Sequence, residues 1–345
     1  VAFKVQNDSS QMNAYQPTAA PAANALPGLM QGPHGEPSLL LQLALARGPL
    51  RVAVVHPCDS PSLAALSAAC GAGLIDPLIV GPRERIKTLA SAARIELSGI
   101  EIDDVPHSHA AAARAVQLAA HAEVRALMKG SLHTDELMGA VVDAQSGLRT
   151  GKRISHCFLV QLPSYARPFI MTDAAINVTP DLEQKRGIVQ NAIDLAHALG
   201  LALPRVAILS AVETVNPQMR STLDAAALSK MADRGQLSGA LVDGPLAFDN
   251  AISVRAARLK GIASPVAGRA DILVVPDLEA GNMLVKQLEF LSGAASAGIV
   301  IGAKVPIVLT SRADSVSARI ASCALAALLA PRDEREDGSG RLRSA

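Results

Sequence analysis

The sequence has no tryptophan, and aromatic residues make up only 2 % of its 345 positions. Proteins that grip single-stranded nucleic acid stack bases on aromatic rings, and so sparse a set builds no such platform. Charge does not replace it. Lys and Arg number 32 against 31 Asp and Glu, a net charge of +1, with no basic run to hold a phosphate backbone or anionic lipid. A nucleic-acid partner is excluded on both counts. No apolar stretch reaches the roughly 18 residues of a spanning helix, so no membrane partner is expected. The opening VAFKVQNDSSQMNAY has neither a basic start nor an apolar block and does not read as a secretory signal. Cysteine is scarce as well. Cys58, Cys70, Cys157 and Cys323 are scattered without paired metal-ligand spacing, which leads us to expect reduced, mostly buried thiols in a cytoplasmic protein.

What the chain does have is apolar bulk. Half of it is hydrophobic and 18 % is charged, enough to bury large cores. LRVAVV, DPLIV, PRVAIL and ADILVV are continuous apolar runs, each bounded by polar or turn-forming residues and alternating with helical patterns. Runs buried on both faces are the mark of parallel strands covered by helices. The expected fold is α/β: two α/β/α domains with mostly parallel sheets and an interdomain cleft. Residues 1–47 are rich in Pro, Ala and Gly and read as a tail or linker, with Leu39 to Leu45 as a short leading helix. Domain I is expected over 48–150 plus 301–332, domain II over 151–300, and a charged tail over 333–345. ISHCFLVQL followed by ARPFIMTDAAINV breaks the alternation and is expected as an antiparallel insertion at the edge of the second sheet.

In open parallel sheets ligands sit beyond the carboxyl ends of the strands. His56, Lys129, Asp173, Ser210, Asp243, Asp277 and Ser311 are among the polar residues that follow the apolar runs. Each, taken alone, reads better as a helix cap. Three stretches rise above that background. MKGSLHTDEL brings together Lys129, Gly130, the hydroxyls of Ser131 and Thr134, and His133, just ahead of a helix. Free backbone N–H groups and a positive helix end favour an anion there. The order of residues fits neither a Walker loop nor a dinucleotide fingerprint. LTSRADS places Ser311, Arg312 and Asp314 between a strand and a helix: a hydroxyl for a developing oxyanion, a planar fork for phosphate oxygens and a proton acceptor. In PDLEAGNMLVKQLEF, Gly281 and Asn282 open a helix, with Lys286 about one turn later. VDGPLAFDNAIS adds Asp243, Phe248, Asp249 and Asn250 as a loop over the cleft.

Taken in order, KGSLHTDELMGAVV, MTDAAINVTPDLEQKRGIVQNAIDLA, VDGPLAFDNAIS, SPVAGRADILVVPDLEAGNM and LTSRADS resemble the phosphate acetyl/butyryltransferase family over about residues 48–330. The nearest branch is similar to the butyryltransferase-like domain that is sometimes fused behind an enoyl-CoA hydratase domain. The resemblance implies an acyltransferase that interconverts acyl-CoA plus phosphate and acyl phosphate plus CoA, on acetyl or short-chain acyl groups such as butyryl. It implies no permanently bound cofactor, with coenzyme A and phosphate as substrates, and a homodimer. Ser311 matches the family serine that stabilises the transition state, and Arg312 the arginine beside it. One position departs: acetyl-specific members carry an aspartate seven residues after that serine, where this chain has Ala318. Asp314 stands one helical turn before Ala318, so either Asp314 or His133 is left as the base. Acetyl enzymes also carry an arginine near Leu137 and Met138, whose replacement here leaves room for a longer acyl chain. Two other readings keep the fold: a CoA- or phosphate-binding module whose activity has lapsed, and a metal-dependent hydroxy-acid dehydrogenase using Asp243, Asp249 and Asp277.

Overall fold

The computed structural model describes residues 29–30, 37–310 and 314–331. Most of the two expected tails, and the Ser311–Arg312 pair, lie outside the described residues. Part of the stretch expected as an N-terminal tail is built into the body. Helix α1 (Leu39–Leu45) buries Leu40 and Ala44, and Leu29 is 2 % exposed, its carbonyl accepting from the Leu40 amide at 3.0 Å.

The chain then alternates. Strands β1 (Leu50–Val55), β2 (Ile75–Gly81), β3 (Glu101–Asp104) and β4 (Ala126–Lys129) are separated by helices α2 (Ser60–Gly71), α3 (Arg83–Ala92) and α4 (Ser108–Ala120). Asp59 caps α2, its carboxylate accepting from the Ser62 amide at 2.8 Å. After α5 (Thr134–Val142) come the hairpin strands β5 (Ser155–Leu162) and β6 (Tyr165–Thr172). There follow α6 (Leu182–Ala198), β7 (Arg205–Leu209), α7 (Arg220–Asp233), β8 (Leu241–Leu246) and the short α8 (Phe248–Ile252) and α9 (Val254–Leu259). The last elements are β9 (Ile272–Val274), α10 (Leu278–Ser292), β10 (Ala295–Ile301), β11 (Ile307–Val308) and α11 (Val316–Leu329).

All these strands join one continuous sheet in the order β3-β2-β1-β4-β11-β10-β5-β6-β9-β7-β8. The hairpin expected at an edge lies inside it, because β5 pairs with β10 on one side and β6 with β9 on the other. Strands β3, β2, β1, β4 and β11 run parallel, and so do β6, β9, β7 and β8. Between these wings the pairings β11–β10, β10–β5 and β5–β6 are antiparallel. Three reversals turn the second wing to run opposite to the first. The register then decides where the wings stop: Leu127 lies level with Ile307, Val300 and His156, while Thr172 lies level with Cys157. The carboxyl ends of β4 and β6 therefore meet over the middle of β5.

The two faces of the sheet are covered differently. On one, α1, α2, α3, α6, α7 and α11 bury a continuous core that includes Val54, Leu159, Ile208 and Ile299. On the other, the cover is split. Helices α4 and α5 bury Ala53, Leu127 and Val300 in one cluster, and α8 to α10 bury Val160, Met171 and Leu273 in a separate one. Between those clusters, among the described residues, the sheet carries His156, Phe158 and Gly298. That break in the helical cover leaves a cleft.

Candidate active site

The cleft holds a cavity of about 420 Å3, within the range of small-molecule sites. Lys129, His133 and Thr134 reach it from the first wing, Asn282 and Lys286 from α10, and Thr310 and Asp314 from the segment on either side of residues 311–313. Six residues singled out in three separate stretches of sequence, Lys129, His133, Thr134, Asn282, Lys286 and Asp314, thus line one space.

Local chemistry explains each placement. Lys129 is 7 % exposed, its ammonium donating to the carbonyls of Gly130 at 3.2 Å and Leu132 at 3.1 Å. This folds the loop around a cation at the end of β4. Gly130 packs so closely beneath that a Cβ would come 2.5 Å from the Val55 carbonyl oxygen. His133 caps α5, and its amide donates to Glu136 Oε2 at 3.0 Å. On the other side Gly281 lets α10 approach the segment after β6, since a Cβ there would stand 2.9 Å from that of Ala174. Asn282 Nδ2 donates to the Ala174 carbonyl at 3.2 Å. Asp173 organises that segment: its carboxylate accepts from the amides of Ala175 and Ile176, both at 3.0 Å. Burial nevertheless raises its pKa, with those bonds opposing the shift.

Other expected residues lie elsewhere. Ser131 does not line the cavity; its hydroxyl donates to the His56 carbonyl at 2.9 Å and accepts from the Cys58 amide at 3.2 Å, tying two loops together. Gly130 and Gly281 act through backbone approach. Asp243 sits on the edge strand β8, accepting from the Gly244 amide at 2.8 Å. The aspartates considered as metal ligands have separate local partners: Asp277 caps α10 through the Ala280 amide at 2.9 Å, and Asp249 pairs with Lys260 at 3.2 Å. Asp314 is not on the helix with Ala318. Ser315 caps α11, accepting from the Ala318 amide at 3.1 Å, so Asp314 precedes the helix. Asp314 and Ala318 do share a neighbouring cavity of about 390 Å3, which Glu289 also lines. Leu137 and Met138 lie on the buried face of α5, and neither lines the cavity.

Several contributors went unseen in the sequence. His156 and Phe158 form the floor, and Glu289 and Thr310 complete the wall. Arg319 is 4 % exposed and donates from Nε to the Asp314 carbonyl at 3.3 Å. Only the i, i+2 alternation along β5 could have hinted that His156 and Phe158 share a face. A larger cavity of about 770 Å3 lies past Ile176 and Asn177, with Arg149, Lys152, Arg153 and Arg186 around it. Three of those cations already have partners: Lys152 with Asp194 at 2.8 Å, Arg153 with Asn177 at 2.7 Å and Arg186 with Glu183 at 2.5 Å.

A family model described as phosphate acetyl/butaryl transferase matches residues 107–327. A phosphate acetyltransferase of Rhizobium meliloti is 59 % identical over 293 residues, covering 85 % of this chain and 93 % of that protein. A phosphate butyryltransferase of Clostridium beijerinckii is 41 % identical over 284 residues, covering 82 % and 94 %. The crystal structure of a branched-chain phosphotransacylase from Enterococcus faecalis superposes with a TM-score of 0.71 at 30 % identity, covering 81 % of this chain and 98 % of that one. With a family model that matches residues 107–327 and relatives that match across most of its length, the chain belongs to the phosphate acetyl/butaryl transferase family.

Proposed function

We propose that the chain moves an acyl group between coenzyme A and inorganic phosphate, acyl-CoA + phosphate ⇌ acyl phosphate + CoA, with acetyl or a short chain such as butyryl as the acyl group. The observation that carries this reading is the convergence of Lys129, His133, Asn282, Lys286 and Asp314 on one cavity. In this reading Lys129, Lys286 and the Arg312 guanidinium offset phosphate charge. The Asn282 amide holds an amide of the pantetheine arm, and Gly130, Gly281 and Ser131 shape the loops that present these groups. A coenzyme A thiol starts near pKa ~8.5, so its deprotonation needs modest help, supplied by Asp314 or His133. The thiolate attacks the acyl phosphate carbonyl, Ser311 steadies the oxyanion, and phosphate departs toward Arg312. The two antiparallel wings serve as the two lobes of the enzyme, domain I over 48–150 plus 301–332 and domain II over 151–300. A cytoplasmic homodimer without a permanent cofactor rests on the family resemblance and on the free thiols of all four cysteines.

The test is direct. Acetyl-, propionyl- and butyryl-CoA are each incubated with the protein, with and without phosphate, and released thiol is followed with a thiol reagent. Phosphate-dependent release is expected; tight CoA binding without turnover would refute the reading. Arg312→Ala should lower turnover or raise the Michaelis constants by about tenfold or more, and wild-type kinetics would remove Arg312 from the site.

A further inference from the structure

Two residues that line this cavity each carry a buried polar atom with no hydrogen-bond partner among the described residues: Nδ1 of His156 and Oγ1 of Thr310. His156 is 1 % exposed and Thr310 4 %. One comes from the start of β5 and the other follows β11, yet both line the same space. Native folds leave few such atoms unsatisfied, because a buried donor or acceptor has lost its water without compensation. Two of them in one cavity indicate that a bound molecule supplies the missing bonds.

The imidazole is also held in place. Its ring lies over Gly298, where an added Cβ would come within 2.9 Å of both Cε1 and Nε2. Phe158 packs beside it with ring centroids 4.3 Å apart. Burial pushes the imidazole pKa down to about 3, so the ring is neutral at neutral pH. A nitrogen that basic only in strong acid does not take a proton from a thiol. In the neutral tautomer with its proton on Nδ1 the ring can donate a hydrogen bond, and with the Thr310 hydroxyl the site then has two neutral donors.

We propose that His156 and Thr310 together bind the carbonyl oxygen of the acyl group and hold the negative charge that forms there during transfer. This rests on the acyl-transfer reading above and adds two donors to the one assigned to Ser311. As the coenzyme A sulfur bonds to the carbonyl carbon, the π pair of the C=O bond moves onto oxygen, where the His156 N–H and Thr310 O–H receive it. The pair then returns, the bond from carbon to the phosphate oxygen breaks, and phosphate leaves with those electrons. The thiol proton has gone to Asp314 or His133. Neither His156 nor Thr310 changes its protonation, and fixed neutral donors of this kind are effective because they need no reorganisation.

Steady-state rates of the full chain with acetyl-CoA and phosphate test the proposal through three variants. Thr310→Val removes the hydroxyl at constant shape, His156→Leu removes the N–H at similar bulk, and His156→Asn keeps an N–H near the position of Nδ1. Thr310→Val and His156→Leu are expected to lose about 10²–10³ in kcat, with KM for both substrates within about threefold of wild type. His156→Asn is expected to stay within about tenfold of wild type. Thr310→Val and His156→Leu both turning over within about threefold of wild type would overturn the proposal. So would His156→Asn proving as slow as His156→Leu, since the imidazole would then matter only for packing. A wild-type protein with no phosphate-dependent turnover is a different failure: the acyl-transfer reading falls first and takes this inference with it.

Discussion

Acid should destabilise the native chain through His156, and replacing that residue should flatten the response. Burial lowers its pKa from 6.5 to about 3. The unfolded chain exposes the same ring to water, where it titrates near the ordinary value. Between those two values the unfolded state binds a proton that the native state refuses, so stability rises with pH across that window and falls as pH drops through it. Each pH step is worth about 1.4 kcal/mol. Lowering the pH from about 6.5 to about 5 therefore removes about 2 kcal/mol, and going on to pH ~3 approaches a ceiling of about 5 kcal/mol. Asp173 works the other way. Its carboxyl is pushed up by burial, so the native state keeps that proton where the unfolded chain has lost it, and acid favours the fold at this one group. Subtracting His156→Leu from wild type cancels Asp173 and the other titrating groups. Urea unfolding followed by circular dichroism at both pH values provides the comparison. Wild type should lose about 2 kcal/mol more than His156→Leu between pH ~6.5 and pH ~5. Parallel losses would mean that the ring takes up its proton in the folded chain, which contradicts its burial on the cavity floor.

Three further outcomes are expected. Lys185→Met should lower stability by about 3–5 kcal/mol, because it strands the Asp224 carboxylate. Lys185 and Asp224 pair at 2.8 Å with side chains only 6 % and 10 % exposed, and Arg220 is the next cation at 3.6 Å. The double variant Lys185→Met with Asp224→Leu should recover most of the loss, as thermal melting will show. Native protein at pH ~8 should react with a thiol reagent at one cysteine or none, against all four in denaturant. Burial pushes the thiols of Cys157 and Cys323 up to about 12 and raises those of Cys58 and Cys70, of which Cys70 alone is partly open. Rapid labelling of three or four in the folded state would contradict that burial. Asp314→Asn and His133→Gln, compared through the pH profile of kcat, identify the base. The variant that abolishes the acidic limb of the profile carries the proton acceptor, and an unchanged limb in both removes both candidates.

The individual strands, and the helices that alternate with them, were legible from one-dimensional pattern alone. A run such as Leu50–Val55 is apolar because both faces of a parallel strand are covered. Lys129, Asn282 and Asp314 stood out because a strand's carboxyl end is where topology exposes polar groups. Those preferences are local, and local preference survives in a linear reading. The relation between the wings is not local. Three antiparallel pairings, of which β10–β5 joins strands more than a hundred residues apart in sequence, turn one wing against the other and bring the ends of β4 and β6 over β5. Nothing in the residues near 129 or near 172 encodes that distance. His156 illustrates the limit best. Along β5 it reads as one polar residue in an apolar strand. Only tertiary packing decided that its face would lie in the break between two helical covers, above a glycine contributed by β10 and around the same cavity as a threonine that follows β11.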